Sequence, residues 1–329
     1  MSDSQVICLG EALIDCLADQ IGVSLAEVQS WTPYPGGALA NVACALAKLG
    51  TATQFVGCVG TDKWGEALIA MLQNCGVDCA DLQQHPEAPT RQVYVLRDRQ
   101  GSPTFAGFSQ PNPAQFADAQ LAVEPLSPDL FNSAQFLVTG TLGLAYELTG
   151  AAMRWALQQA QAHSVMTVVD INWRPMFWPQ PEIAPATLRE ILPGIDWLKL
   201  SADEAHWLFD TQDPTAIAQQ LPTLKGVLIT AGAAGCYYWL AGHADRFPAF
   251  AVDSEDATGA GDAFLAGFLH KLGQVSPAQL SDPAIARSVV AYASAVGALT
   301  TTRAGAIAAQ PSAPEVEAFL YLQQSQAGE

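Results

Sequence analysis

Basic side chains are scarce in this sequence. Only 14 Lys and Arg stand against 32 Asp and Glu, a formal charge of −18 over 329 residues. Phosphate backbones are held by clustered Lys and Arg, and no basic run occurs, so nucleic acid is excluded as a partner. The opening MSDSQVICLGEALIDC has no basic segment ahead of an apolar one, and Asp3, Glu11 and Asp15 interrupt it, so no secretory leader is expected. The most apolar later stretch, 289–309, is rich in Ala, Gly and Thr and holds Arg303. It suits a buried helix and turn better than a bilayer span, and no membrane association is expected. The seven cysteines (Cys8, Cys16, Cys44, Cys58, Cys75, Cys79, Cys236) are odd in number and lie mostly inside apolar patterns. Reduced thiols in a cytoplasmic protein are the expectation, and no second His or Cys pair completes a zinc site around Cys75 and Cys79.

Several catalytic devices are missing as well. There is no Gly-Lys dipeptide, which removes the Walker A phosphate loop, and no G-x-S-x-G or H-E-x-x-H. His85, His163, His206, His243 and His270 are dispersed along the chain and form no cluster. What remains is a chain half hydrophobic and only 14% charged, the composition of a globular protein with a large core.

Short β-branched runs alternate with amphipathic helical segments. VICLG (6–10), TQFVGCVG (53–60), FLVTG (136–140), VMTVVDIN (165–172), DWLKL (196–200) and GVLITAG (226–232) are predicted strands, followed by an apolar stretch at 236–240. Predicted helices cover 38–50, 147–162, 183–192, 202–209, 260–272, 283–299 and 312–324. In the first, Leu39, Val42, Leu46 and Leu49 form one apolar face, with Asn41, Ala45 and Lys48 opposite. The alternation predicts an α/β fold with a mostly parallel sheet covered on both faces. The segment 90–108 breaks the pattern, because two strand-like runs flank a Gln-Gly turn with no helix between them. With residues 12–35 it is expected to form a small accessory sheet, either a lid or a plain surface hairpin. One domain spanning 1–329, with lid segments near 12–35 and 90–110, is the expected organisation.

The chemistry concentrates in DATGAGDAFLAGF (256–268), which follows a strand-like run, FPAFAV (247–252), and opens an apolar helix. Gly259 and Gly261 permit a tight turn that exposes consecutive amides at a helix N-terminus, where the dipole favours an anion such as phosphate. Asp262, in the first turn, is placed to accept a proton from an attacking hydroxyl. The competing reading is an ordinary glycine turn with Asp262 complementing the dipole. A dinucleotide fingerprint fails, because its third glycine is Phe264. A second glycine pair, Gly36-Gly37, opens the 38–50 helix, with Asn41 one turn inside as donor and acceptor for sugar hydroxyls. Asp15 lies just after the first strand, where open α/β sheets place ligand residues. Arg174, in DINWRPMFW (170–178), is expected either to pair with Asp170 or to reach an anionic or hydroxylated substrate. The strand ends near Lys199–Ser201 and Thr230–Gly232 are further rim positions.

P-G-G-x-x-x-N-V-A-x-x-L-x-x-L-G (35–50) together with D-A-T-G-A-G-D-A-F (256–264) resembles the PfkB, or ribokinase-like, family of sugar kinases. F-V-G-C-V-G-T-D-K-W-G (55–65), Pro89-Thr90 and T-T-T-R-A-G-A-I (300–307) resemble other family segments in the right order, and GEALID, DINWR and GALTTTR are most like fructokinases. The resemblance implies a ribokinase-like three-layer sandwich with a small β-lid. It also implies ATP and Mg²⁺, with K⁺ as the type of monovalent cation, and phosphorylation of a sugar hydroxyl, most readily the primary hydroxyl of fructose. A 2-keto-3-deoxygluconate kinase and a catalytically silent sugar- or partner-binding relative are the alternatives.

By the same resemblance Asp262 is the catalytic base, and Gly259, Ala260 and Gly261 form the anion hole. Asp15, Gly36, Gly37, Asn41 and Arg174 would bind the sugar, and Ser201, Thr230, Gly232, Gly235 and Ser294 the nucleotide. Glu204 and Asp256 are the metal candidates, Asp256 framing the monovalent cation. Ser201 stands where the family's Asn-x-x-Glu has Asn, Ser294 where many relatives carry Asn, and V-D-S-E-D-A-T-G-A-G-D is longer than the usual motif. A homodimer through the lid is an assembly such kinases suggest.

Overall fold

The computed structural model describes residues 5–98 and 103–327. In chain order the first part contains β1 (Val6–Leu9), β2 (Leu13–Ile21), β3 (Trp31–Gly36), α1 (Ala38–Lys48), β4 (Thr53–Val56), β5 (Cys58–Gly60), α2 (Lys63–Asn74), β6 (Gln83–His85), β7 (Gln92–Arg97) and β8 (Pro103–Phe108). There follow β9 (Phe136–Thr139), α3 (Glu147–Ala162), β10 (Met166–Asp170), α4 (Ala184–Ile191), β11 (Trp197–Ser201), α5 (Ala202–Phe209), α6 (Pro214–Gln220) and β12 (Gly226–Thr230). The chain ends with β13 (Cys236–Leu240), β14 (His243–Phe247), α7 (Ala260–Leu272), α8 (Pro277–Leu280), α9 (Pro283–Thr300) and α10 (Ala313–Ala327).

Eight strands form the central sheet in the order β14-β13-β12-β11-β10-β9-β1-β4. The six from β12 to β4 run parallel, and β13 and β14 close one edge antiparallel. Alternation along the strands divides the core in two. Val6 and Cys8 of β1 face one apolar cluster with α1, α7 and α9, while Ile7 and Leu9 face the other with α3, α4, α5 and α6. The result is an α/β three-layer sandwich. Burial on both faces explains the unbroken apolar character of the predicted strands.

A second sheet, β3-β2-β7-β8, gathers the 12–35 and 90–110 segments. The predicted Gln100-Gly101 turn lies outside the described residues. Arg91, at the root of β7, ties this sheet to the body: its guanidinium is fully buried and pairs with Asp118 at 2.7 Å. Phe108, Phe116, Tyr146 and Phe177 pack their rings within 4.5–5.4 Å of it.

Three local expectations change. The run 247–252 is a strand only at Phe247, because Pro248 lacks the N–H a ladder needs; beyond it Phe250 packs edge-on against Phe319 of α10. TQFVGCVG divides into β4 and β5 at Gly57, where a Cβ would lie 2.6 Å from the Gly10 carbonyl. The side of α1 opposite Leu39 is not solvated: Asn41 and Ala45 are buried, with α7 packed over them. By length and composition α9 is apolar enough to cross a bilayer, yet half of it is buried in this fold.

Candidate active site

The ends of the parallel strands and the N-termini of α1 and α7 meet in one region, and glycine makes the approach possible. Gly37 is the N-cap of α1 at φ 101°, and a Cβ there would sit 2.4 Å from the Glu11 carbonyl oxygen. Only glycine tolerates both conditions. Gly36 pairs with Leu13 across β2 and β3, and a Cβ on it would lie 2.3 Å from Asp15 Oδ2. The glycine pair therefore sets where the Asp15 carboxylate rests. Since Gly37 has no side chain with which to cap α1, Glu11 does so: the Ala38 amide donates to Glu11 Oε1 at 2.9 Å.

One turn into α1, Asn41 Nδ2 donates to Asp262 Oδ2 at 2.8 Å, joining residues 221 apart in sequence. Gln310 Nε2 donates to the Asn41 carbonyl at 2.8 Å and holds this turn from behind. The buried Asn41 Oδ1 has no partner among the described residues, so an acceptor remains beside Asp262. Asp262 is the third residue of α7, whose N-cap Gly259 has φ 76°. The first-turn amides of Gly261 and Asp262 have no helical carbonyl to pair with. Ala260 differs from expectation, because its N–H donates to the Ala257 carbonyl at 3.2 Å.

Charge at this point is concentrated and partly desolvated. Burial pushes the Asp262 carboxyl up, while Lys199, the Asn41 hydrogen bond and Arg174 pull it down. Asp15 is pushed up to about 6 by burial and by Asp262, with Arg174 opposing. Glu11 reaches about 7, chiefly through burial, against the hydrogen bonds from its own and the Ala38 amide. Arg174 does not pair with Asp170. Its side chain is 52% exposed and lies 4.0 Å from Glu204, while Asp170 binds Lys199 Nζ at 2.8 Å. The competition is settled by sheet geometry, since Asp170 and Lys199 are directly opposite each other on β10 and β11.

Of the expected nucleotide positions, Ser201 and Thr230 are neighbours at the ends of β11 and β12. Gly232 and Gly235 have φ 52° and 91° in the turn that follows, where a Cβ on Gly235 would meet the Phe247 carbonyl at 2.1 Å. Ser294 lies half-buried on α9. Ser201 also caps α5 in a reciprocal box: its Oγ accepts from the Glu204 amide, and Glu204 Oε2 accepts from the Ser201 amide at 2.7 Å. Glu204 Oε1 accepts from the Trp173 amide at 2.6 Å.

Asp256 is similarly engaged, Oδ1 by the Thr258 amide and hydroxyl and Oδ2 by the Gly305 amide. Burial works against its charge, but those bonds hold its pKa below the usual carboxylate value. Among the described residues no group of three His, Cys, Asp or Glu side chains could hold a metal ion. The two metal candidates are not brought into one such cluster.

Sequence reasoning missed Glu11, Gln310 and the Asp170–Lys199 pair as parts of this region. Glu11 was visible inside GEALID but was read only as an acid interrupting the opening apolar stretch. Nothing in the sequence marks Gln310.

Comparison with known proteins bears on this arrangement. Residues 3–313 match the family model described as pfkB family carbohydrate kinase. The chain is 33% identical over 318 residues to a probable fructokinase-5 of Arabidopsis thaliana, covering 96% of this chain and 97% of that one. Among solved structures, a fructokinase with bound ATP from Xylella fastidiosa superposes with a TM-score of 0.88 at 31% identity, covering 98% of this chain and all of the other. A fructokinase double mutant from Vibrio cholerae O395, in a fructose-, ADP- and potassium-bound form, gives 0.82 at 29% identity, covering 97% and 99%.

Proposed function

Because this chain belongs to the pfkB family of carbohydrate kinases, we propose that it is a fructokinase, transferring the γ-phosphate of ATP to the primary hydroxyl of fructose. The observation that carries the reading is the Asn41–Asp262 hydrogen bond at the N-terminus of α7, formed beside the Asp15 carboxylate and its glycine pair. In this reading Asp15 and the free acceptor of Asn41 take sugar hydroxyls, fixing the acceptor hydroxyl against Asp262. Asp262 accepts its proton as the oxygen attacks the γ-phosphorus. The amides at the start of α7 stabilise charge on the transferred group, supplying positive potential in a chain whose formal charge is −18.

Ser201, Thr230, Gly232, Gly235 and Ser294 would line the nucleotide side. Mg²⁺ keeps several waters and is commonly held by one or two carboxylates plus substrate phosphates. The donor set fits that mode: with both oxygens engaged by backbone amides, Glu204 would meet the ion through water. When bound, Mg²⁺ neutralises phosphate charge. Asp256 would frame a monovalent cation such as K⁺.

The β3-β2-β7-β8 sheet would serve as a lid that excludes water during transfer. Its exposed Ile21 and Tyr34 support a homodimer through the same face. A second reading, 2-keto-3-deoxygluconate kinase, is favoured by the half-exposed Arg174 guanidinium, which suits a sugar-acid carboxylate. The test is coupled ATP consumption with fructose, ribose, 2-keto-3-deoxygluconate and adenosine. Fructose is expected to give the highest kcat/KM. Preference for the sugar acid would move the assignment to the second reading, and no turnover with any acceptor would overturn the kinase assignment.

A further inference from the structure

The Lys199–Asp170 ion pair has no part in the reaction as written, yet both of its charges are buried beside it. Lys199 is 7% exposed and Asp170 2%. Burying such a pair costs about as much in lost hydration as the attraction returns, so stability is a weak explanation for it. Its position is more telling. Strand β11 delivers the ammonium directly against the first turn of α7, where a Cβ on Gly261 would lie 3.1 Å from Lys199 Nζ. The next residue along that turn is Asp262. An ammonium has three donors, and among the described residues Lys199 uses one, on Asp170 Oδ2. The buried Asp170 Oδ1 has no partner among them either.

We propose that Lys199, held in place by Asp170, is a positioning residue that keeps Asp262 ionised for proton acceptance, a role that rests on the kinase reading above. The groups facing Asp262 come from five directions: Asn41 of α1, Lys199 of β11 with Asp170 of β10 behind it, Arg174 after β10, Asp15 of β2 and Glu11 after β1. Burial favours protonated Asp262, whose own charge in turn raises Asp15 and Glu11. Among the groups that oppose this, Lys199 is foremost, and Arg174 is screened by its 52% exposed side chain. Lys199 keeps its own charge by the same arrangement: burial works to lower its pKa, but Asp170, Glu204 and Asp262 raise it further. Each acid needs the ammonium, and the ammonium needs the acids.

The test is a ¹³C carboxyl NMR titration of Asp262, assigned through Asp262→Asn, together with pH profiles of kcat. It compares the wild type, Lys199→Met and the double variant Lys199→Met/Asp170→Asn. The double variant leaves no bare buried carboxylate, so it remains informative if Lys199→Met alone fails to fold. The Asp262 midpoint is expected to rise by about one pH unit or more. The acid limb of kcat should rise with it, while the KM for fructose stays within about threefold. An unshifted midpoint and limb in the double variant would overturn the proposal. So would restoration of wild-type kcat by Asp170→Asn in the Lys199→Met background, since the fault would then lie with the bare carboxylate. The titration needs no turnover. A wild type inactive with every sugar would sink the kinase reading and leave the Lys199 result standing by itself.

Discussion

Gly259→Ala isolates the role of the turn that opens α7. Gly259 has φ 76°, and a Cβ built there lies 2.7 Å from Ala306 Cβ and 3.0 Å from Ala306 Cα. The left-handed backbone costs an alanine about 1–2 kcal/mol. Pressing a methyl into backbone that cannot move freely adds about 1–3 kcal/mol. The expected destabilisation is therefore about 2–5 kcal/mol. Relief requires the turn to shift, which re-aims the amides of the following residues, and losing one such donor costs about 10²-fold in kcat. Gly50→Ala is the matched control: φ is 91°, but among the described residues nothing beyond its chain neighbours lies within 4 Å of its Cβ. It should lose only the backbone part, about 1–2 kcal/mol, and keep its turnover. Urea unfolding read as a midpoint shift at constant slope, with steady-state kcat, separates the two. Gly259→Ala no less stable than Gly50→Ala, with kcat within about twofold of wild type, would refute the reasoning.

Two further outcomes follow from the pocket. Gly36→Ala places a methyl 2.3 Å from Asp15 Oδ2, so the carboxylate must move about 1 Å; kcat/KM for fructose should fall about 10²-fold, and an unchanged value would remove Asp15 from sugar binding. Glu11 is raised from 4.5 to about 7 in the folded state, which therefore holds a proton the unfolded chain gives up. Stability contributed by this group is full below about pH 4.5 and is lost as pH rises to about 7, on the order of 3 kcal/mol in all. Glu11→Gln keeps an acceptor for the Ala38 amide and removes the titration, so its Tm should gain on wild type between pH 5 and pH 8; parallel Tm curves would contradict this.

The frame of this protein was legible because its signals are local. Leu39, Val42 and Leu46 report the helix of α1 within three turns, and strands buried on both faces announce themselves as apolar runs. Gly36-Gly37 and Gly259-x-Gly261 were visible because a tight approach leaves no choice of residue. What escaped was set by partners distant in sequence. Asn41 was assigned to sugar hydroxyls from the polar side of its helix, but its bond to Asp262, 221 residues away, was not visible. Arg174 was offered Asp170 by proximity along the chain, but sheet register gave that carboxylate to Lys199, 29 residues on. Composition made 247–252 resemble a strand, and Pro248 ended the pairing.

The most direct test of the central claim is the fructose-dependent turnover of Asp262→Asn, with ATP binding confirmed by its thermal shift. Asn keeps the shape and the contact with Asn41 but cannot accept the proton, so kcat should fall by about 10²–10⁴-fold. A variant that binds ATP and retains more than about a tenth of wild-type turnover would contradict the assignment of Asp262 as the base.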